Sequence, residues 1–121
     1  MLKKENRLNS NRAYIATYNN NNIVSDSYIV LYTGKLKQNK DYHSKVGFVV
    51  SKKIHKRAVK RNRIKRLMRE NIRLMFLQNN ETLNKYQSFI FKAKPACVSA
   101  KSENIKNSIF TLLEKIAIKN I

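Results

Sequence analysis

The chain reads as an α/β (α+β) protein, a two-layer sandwich in which helices cover a small mixed sheet. Three observations predict this. Hydrophobic periodicity switches along the chain between strand and helix patterns, in the order helix, strand, strand, helix, strand, helix. The 121 residues suit one domain. At 42% apolar, they can bury a single modest core. No repeat and no Gly/Ser linker divides the chain, so residues 1–121 are read as one domain.

The elements follow in order. Residues 1–9 are basic and polar, and are expected to order on binding a partner. Ser10 or Asn11 is placed to cap a short helix running to about Tyr18, which sets Tyr14 and Tyr18 one turn apart on one face. The run Asn19–Asn22 stops it, because Asn competes for backbone hydrogen bonds and tolerates turns. SYIVLYTG (27–34) is β-branched and aromatic between turn signals, hence a strand with faces Tyr28/Val30/Tyr32 and Ile29/Leu31. KLKQNKDYH (35–43) is a polar connection. KVGFVVS (45–51) is a second strand, apolar enough for burial on both faces.

From about Arg57 to Gln78 the period is helical. Ile64, Leu67, Met68, Asn71 and Met75 form one stripe, with Asn62, Lys65, Arg66, Arg69 and Arg73 opposite. QNNE ends this helix. SFIFKAK (88–94) is a third strand, closed by Pro95. Ser102 is assigned as the cap of a last helix whose buried stripe is Ile105, Ile109, Leu112, Leu113 and Ile116.

Charge narrows the function. Lys and Arg number 26 against seven Asp and Glu, a formal net charge of +19. Self-repulsion of that size opposes compaction and points to a polyanionic partner. Between Lys52 and Arg73 there are eleven cations and one carboxylate, Glu70. A solvated structural helix normally mixes signs, and a flexible basic tail would not keep an apolar stripe. The candidate binding set is therefore Lys52, Lys53, Lys56, Arg57, Arg61, Asn62, Arg63, Lys65, Arg66, Arg69 and Arg73. Glu70 is expected to align Arg66 or Arg63.

A lipid surface is disfavoured, because the large apolar residues of this helix are committed to the core. The longest apolar runs, such as VGFVV (46–50), fall far short of a spanning length, and the first residues lack the apolar segment of an export signal. A single cysteine, Cys97, allows no internal disulfide, suits a reducing cytoplasm, and reads as a small buried residue. A helix-turn-helix DNA reader needs a helix shortly before its recognition helix, whereas here a strand precedes it. RNA fits better, and Tyr14, Tyr18 and Tyr32 are candidates to line a groove where unpaired bases stack, if they are not simply core rings.

Catalytic side chains are not expected. Glu5, Asp26, Asp41, Glu70, Glu81, Glu103 and Glu114 show no metal-binding spacing, and His43 and His55 flank the second strand too far apart to act together.

KVGFVVSKKIHKRAVKRNRIKRLMRE (45–70) resembles the signature of the bacterial ribonuclease P protein subunit. VLYT (30–33) and FIFKAKPA (89–96) resemble that family's first and last core strands, and the likeness runs from about Asn6 to the last helix. The resemblance implies a partner, a large catalytic RNA that uses Mg2+, held mainly by that RNA, to remove the 5′ leader of precursor tRNA. It implies that Lys52 and Lys53 at the strand end, and Arg61, Asn62, Arg63, Lys65, Arg66 and Arg69 on the helix, lie against RNA. Tyr14, Tyr18 and Tyr32 fall on positions of the leader groove. It also implies a ribosomal-protein-S5-domain-2-like fold with a left-handed crossover. The Asn-rich run at 19–22 and the lack of a long basic tail depart from the family. No DNA or membrane partner is expected. Two rival readings stand beside this one: another structural or ribosome-associated RNA-binding protein, and an autonomous nuclease using His55.

Overall fold

The structure is a computed structural model that describes residues 2–119. Four helices accompany the four strands: α1 (Asn11–Asn19), β1 (Asn22–Ser25), β2 (Ile29–Thr33), β3 (Lys45–Val49), α2 (Ala58–Leu77), α3 (Glu81–Lys85), β4 (Ser88–Ala93) and α4 (Ser102–Lys119). Short 3-10 turns cover Lys4–Asn6 and Pro95–Ser99. The sheet order is β1-β2-β4-β3. β1, β2 and β4 pair antiparallel, and β3 pairs parallel to β4. A parallel neighbour requires a crossover, which α2 and α3 supply. This is the expected mixed sheet covered by helices.

Register sorts the side chains into two faces. Ile29↔Ala93, Leu31↔Phe91 and Thr33↔Phe89, with Val46↔Phe89 and Phe48↔Phe91, share one face. Against it pack Ile64, Met68, Ile72 and Met75 of α2 and Ile105, Ile109, Leu112, Leu113 and Ile116 of α4. The predicted α4 stripe is therefore core throughout, while that of α2 is core at Ile64, Met68 and Met75, with Leu67 only partly buried and Ile72 buried outside the predicted stripe. Each fully buried aliphatic side chain is worth roughly 1.5–3 kcal/mol.

The opposite face carries Val30, Tyr32, Ser88, Ile90, Lys92, Gly47 and Val49. Helix α1 crosses it from β3 to β2. Tyr14 rests on Gly47, Thr17 Oγ1 lies 2.6 Å from Ser88 Oγ, and Asn20 Nδ2 donates to Thr33 O at 3.0 Å. Ile90 is fully buried beneath. Ser10 caps α1 by accepting from Ala13 N, as anticipated.

Several expectations are corrected. The arm at 2–9 is not left waiting for a partner. Leu2 and Leu8 are buried, Leu8 N donates to Val46 O at 3.0 Å, and Arg7 bridges to Val46 in parallel. The arm thus covers the outer edge of β3, while Met1 lies outside the described residues. The strand β1 was missed. Asn21 turns the chain at φ 57, and the Asn run that stops α1 also starts this strand. Asp26 closes the hairpin to β2, its Oδ1 accepting from Tyr28 N and Ile29 N. The helix α3 was also missed, where Asn80 Oδ1 accepts from Leu83 N and Leu83 is buried. Ser102 is the first residue of α4 rather than its cap, and Asn104 Oδ1 instead accepts from Lys101 N at 3.0 Å.

Cys97 is buried as read, with Sγ 3.1 Å from Tyr28 O. Burial pushes its thiol up to about 11, which keeps it protonated and unreactive near neutrality.

Gly47 is where the sheet and α1 approach most closely, since a Cβ there would overlap the Tyr14 hydroxyl and ring. Gly47→Ala is expected to destabilise the fold by about 1–3 kcal/mol in denaturant unfolding. Combined with Tyr14→Ala, the loss should be clearly less than additive; strict additivity would mean that the ring is not what restricts this position.

Candidate nucleic-acid interface

The basic segment begins at the C-terminal end of β3. Ser51 organises the turn, accepting from Lys53 N through Oγ and from Ile54 N through its carbonyl. His55 Nδ1 then accepts from Arg57 N at 3.0 Å, just ahead of α2. Lys52, Lys53, Lys56, Arg57 and Lys60 are exposed around this helix start, where the positive end of the helix dipole adds to their field.

Along α2 the candidate residues separate. Asn62, Arg66 and Arg69 are exposed, and Lys65 and Arg73 are half-buried. Arg63 turns toward α4, its Nη2 3.5 Å from Ala100 O. Arg61 is half-buried with Nη1 sealed from solvent, so it serves the outer face least. Glu70 does not pair with Arg66 or Arg63. It takes Arg73 in a two-bond fork, Nη2 to Oε1 at 2.6 Å and Nε to Oε2 at 3.1 Å. The donated hydrogen bonds hold the Glu70 carboxyl below its ordinary range and raise the Arg73 guanidinium. The i+3 arginine lies on the same turn and meets the carboxylate first. This is the one ion pair among the described residues, so the remaining cations of α2 keep their charge uncompensated by carboxylates.

Lys65 and Arg69 face a cleft of about 400 Å³ between α2, the edge of β3 and α1, with Arg7, Asn9, Tyr14, Gly47 and Phe48 on its other walls. The Arg69 guanidinium carbon lies 5.9 Å from the Phe48 ring centre, a cation–π arrangement. Tyr18 and Tyr32 meet edge to face at 4.7 Å, one turn of α1 beyond Tyr14. Burial raises the Tyr14 hydroxyl, and burial with the neighbouring Tyr32 and Tyr14 raises that of Tyr18. All three rings are half-buried, which leaves part of each open beside the sheet.

Lys92 was missed. It sits on β4, between Val30 and Val49 in register and on the face that carries Tyr32. The alternation in SFIFKAK carried the signal, because a lysine inside a central strand is rare without a use for its charge. His43 and His55 lie beyond opposite ends of β3 and do not form an acid–base pair.

Fold and surface together define a class: a small α/β protein whose central helix carries a strongly cationic outer face beside a cleft that holds Tyr14 and Phe48. A family model described as Ribonuclease P matches residues 2–117, and the chain belongs to that family. It is 33% identical over 119 residues to a ribonuclease P protein component of Alkaliphilus oremlandii, covering 98% of this chain and 97% of the relative. It is 42% identical over 102 residues to that of an Exiguobacterium species, covering 84% and 82%. The RNase P protein of Staphylococcus aureus superposes with a TM-score of 0.73 at 30% identity, over 90% of this chain and 93% of that one. The RNase P protein of Thermotoga maritima shares the fold, with a TM-score of 0.71 at 20% identity. Ribonuclease P protein components work with an RNA subunit in tRNA 5′ processing.

Glu70→Gln should release Arg73 from its fork. RNA affinity is expected to rise, with a steeper salt dependence, while thermal stability changes little because a solvent-accessible ion pair is worth little. Weaker RNA binding in this variant would show that the fork positions Arg73 for its contact.

Proposed function

We propose that this chain is the protein subunit of a ribonuclease P whose catalytic centre is RNA. In this reading Lys52, Lys53, Lys56 and Arg57 at the helix start, and Asn62, Lys65, Arg66 and Arg69 on α2, lie against the catalytic RNA. Arg61 contributes less because part of its guanidinium is buried, and Arg63 and Arg73 because they are hydrogen-bonded within the protein. The groove between α1 and the sheet, with Tyr14, Tyr18 and Tyr32 on its walls and Lys92 on its floor, takes the 5′ leader of precursor tRNA. The observation that carries the reading is a run of cations with one carboxylate, held by a buried apolar stripe, of which Lys65 and Arg69 face the same cleft as Tyr14.

Mg2+ belongs on the RNA in this proposal. Among the described residues no group of three or more His, Cys, Asp or Glu comes together. No helix among them is long and apolar enough to cross a membrane. We assign the complex to the bacterial cytoplasm.

The chain's own task is binding and positioning. Phosphates of the catalytic RNA are met by exposed ammonium and guanidinium groups, and an unpaired leader base can stack on the open part of a tyrosine ring. The raised Tyr14 and Tyr18 hydroxyls remain protonated donors at neutral pH.

The decisive assay incubates pure protein with precursor tRNA, with and without the catalytic RNA. Cleavage is expected only when the RNA is present; cleavage by protein alone would restore the autonomous-nuclease reading. A second prediction tests the groove. Tyr18→Ala and Tyr32→Ala should each weaken binding of precursor tRNA to the assembled complex by about 1–3 kcal/mol. Binding of mature tRNA, which lacks the leader, should hardly change, and Tyr→Phe should be close to neutral. Equal losses on both tRNAs, or unfolding alone, would assign these rings to the core.

A further inference from the structure

The α2 face is not the whole of the positive surface. The connection from β2 to β3, residues 34–44, folds back against the junction between α3 and β4. Gln87 N donates to Lys35 O at 2.8 Å, Lys37 N donates to Lys85 O at 3.0 Å, and Leu36 bridges to Tyr86. That short ladder sets Lys37 beside Lys85. Asn39 Oδ1 accepts from Asp41 N at 2.9 Å and curls the loop, while Lys37 Nζ donates to Tyr42 O at 2.9 Å. As a result Lys37, Lys40, Asn84 and Lys85 line one open hollow. A neighbouring cleft shares Asn84 and adds Lys3, His43 and Arg73, the last cation of α2.

The position of this cluster separates it from the cations at the start of α2. The strand β3 leads from the loop end of the sheet to the start of α2, and α2 then runs back. The exposed cations at 52–60 and the lysine hollow therefore stand at opposite ends of the molecule. A 20-residue helix is about 30 Å long. The Debye length at physiological salt is only about 8 Å. The two clusters thus act as independent charges, and one compact anion cannot satisfy both.

Three lysines line this hollow and none is ion-paired among the described residues, although Asp41 and Glu81 lie close by in sequence. The hollow is lined by no aromatic residue, which removes base stacking as its purpose, and lysine is a point charge suited to phosphate rather than to base edges.

We infer that Lys37, Lys40 and Lys85 form a second polyanion-binding pole that grips an RNA sugar-phosphate backbone without reading sequence. The inference rests on the proposed function, since it extends RNA contact from one face of the chain to the far end of the sheet. Two contacts at that separation fix orientation as well as affinity: a partner held at one pole can swivel, and one held at both cannot. Both the RNA subunit and precursor tRNA present such a backbone, and the two arms of the test separate them.

The experiment measures binding against salt concentration for Lys37→Gln/Lys40→Gln/Lys85→Gln. One arm titrates the RNA subunit with the full-length protein, and the other titrates the assembled complex with precursor tRNA. Arg66→Ala/Arg69→Ala is measured in parallel. Each lost phosphate contact should make the slope of log K against log salt shallower by about 0.7–0.9, so the triple variant should lose about 2. The arm in which this happens identifies the RNA that is held. Lys→Arg at the same three positions should keep the original slope, which separates charge from a change in loop structure. A triple variant with an unchanged slope in both arms, while the α2 variant becomes shallower, overturns the second pole and leaves the proposed function standing. No change from either set overturns both. A loss that arginine does not restore assigns the effect to the loop's fold and also overturns the inference.

Discussion

Ile64, Met68, Ile72 and Met75 project from one face of α2 into the core, and that contact supports the whole arrangement. A segment carrying eleven cations and one carboxylate has no electrostatic reason to stay compact. Two like charges 4 Å apart in water repel by about 1 kcal/mol, while a fully buried aliphatic side chain returns roughly 1.5–3. Burial wins residue by residue, so the helix holds its place while its outer face remains unneutralised. Rigidity matters to function here. A disordered basic tail would be ordered at the moment of binding, whereas this face is ordered beforehand.

The second support is the close fit of α1 to the sheet. Gly47 lets the Tyr14 ring reach the backbone of β3, and the Thr17–Ser88 hydrogen bond fixes the helix one strand further on. Together they leave Tyr18 and Tyr32 packed edge to face at the side of the groove rather than beneath the helix. The arm at 2–9 completes the same cleft by lying along β3, so one continuous wall joins Arg7 and Tyr14 to Lys65 and Arg69.

Much of this was legible in the chain. The α2 and α4 stripes declared themselves by period, and β2, β3 and β4 by dense β-branched and aromatic runs. What escaped notice was of another kind. β1 is four residues long and hidden behind an Asn run whose turn-forming tendency reads as loop. α3 is five residues long and held by one buried leucine and one Asn cap, too short for a period to emerge. The arm at 2–9 looks solvated because its basic residues outnumber Leu2 and Leu8, yet those two leucines decide its position. Glu70 had several arginines within reach, and which one it takes is settled by side-chain geometry rather than by spacing. Lys92 needed strand order and register before its place on the groove floor had any meaning.

The parallel pairing of β3 with β4 has a kinetic consequence. Val46 meets Phe89 across 43 residues of chain, and all of α2 lies within that span. Contacts so distant form only after a large loop has closed, which slows folding relative to a chain of local hairpins. The highly charged helix sits inside the loop that must close, so mutual repulsion raises the barrier to the very step that completes the sheet. Counterions that screen α2 therefore lower the barrier to closing the sheet.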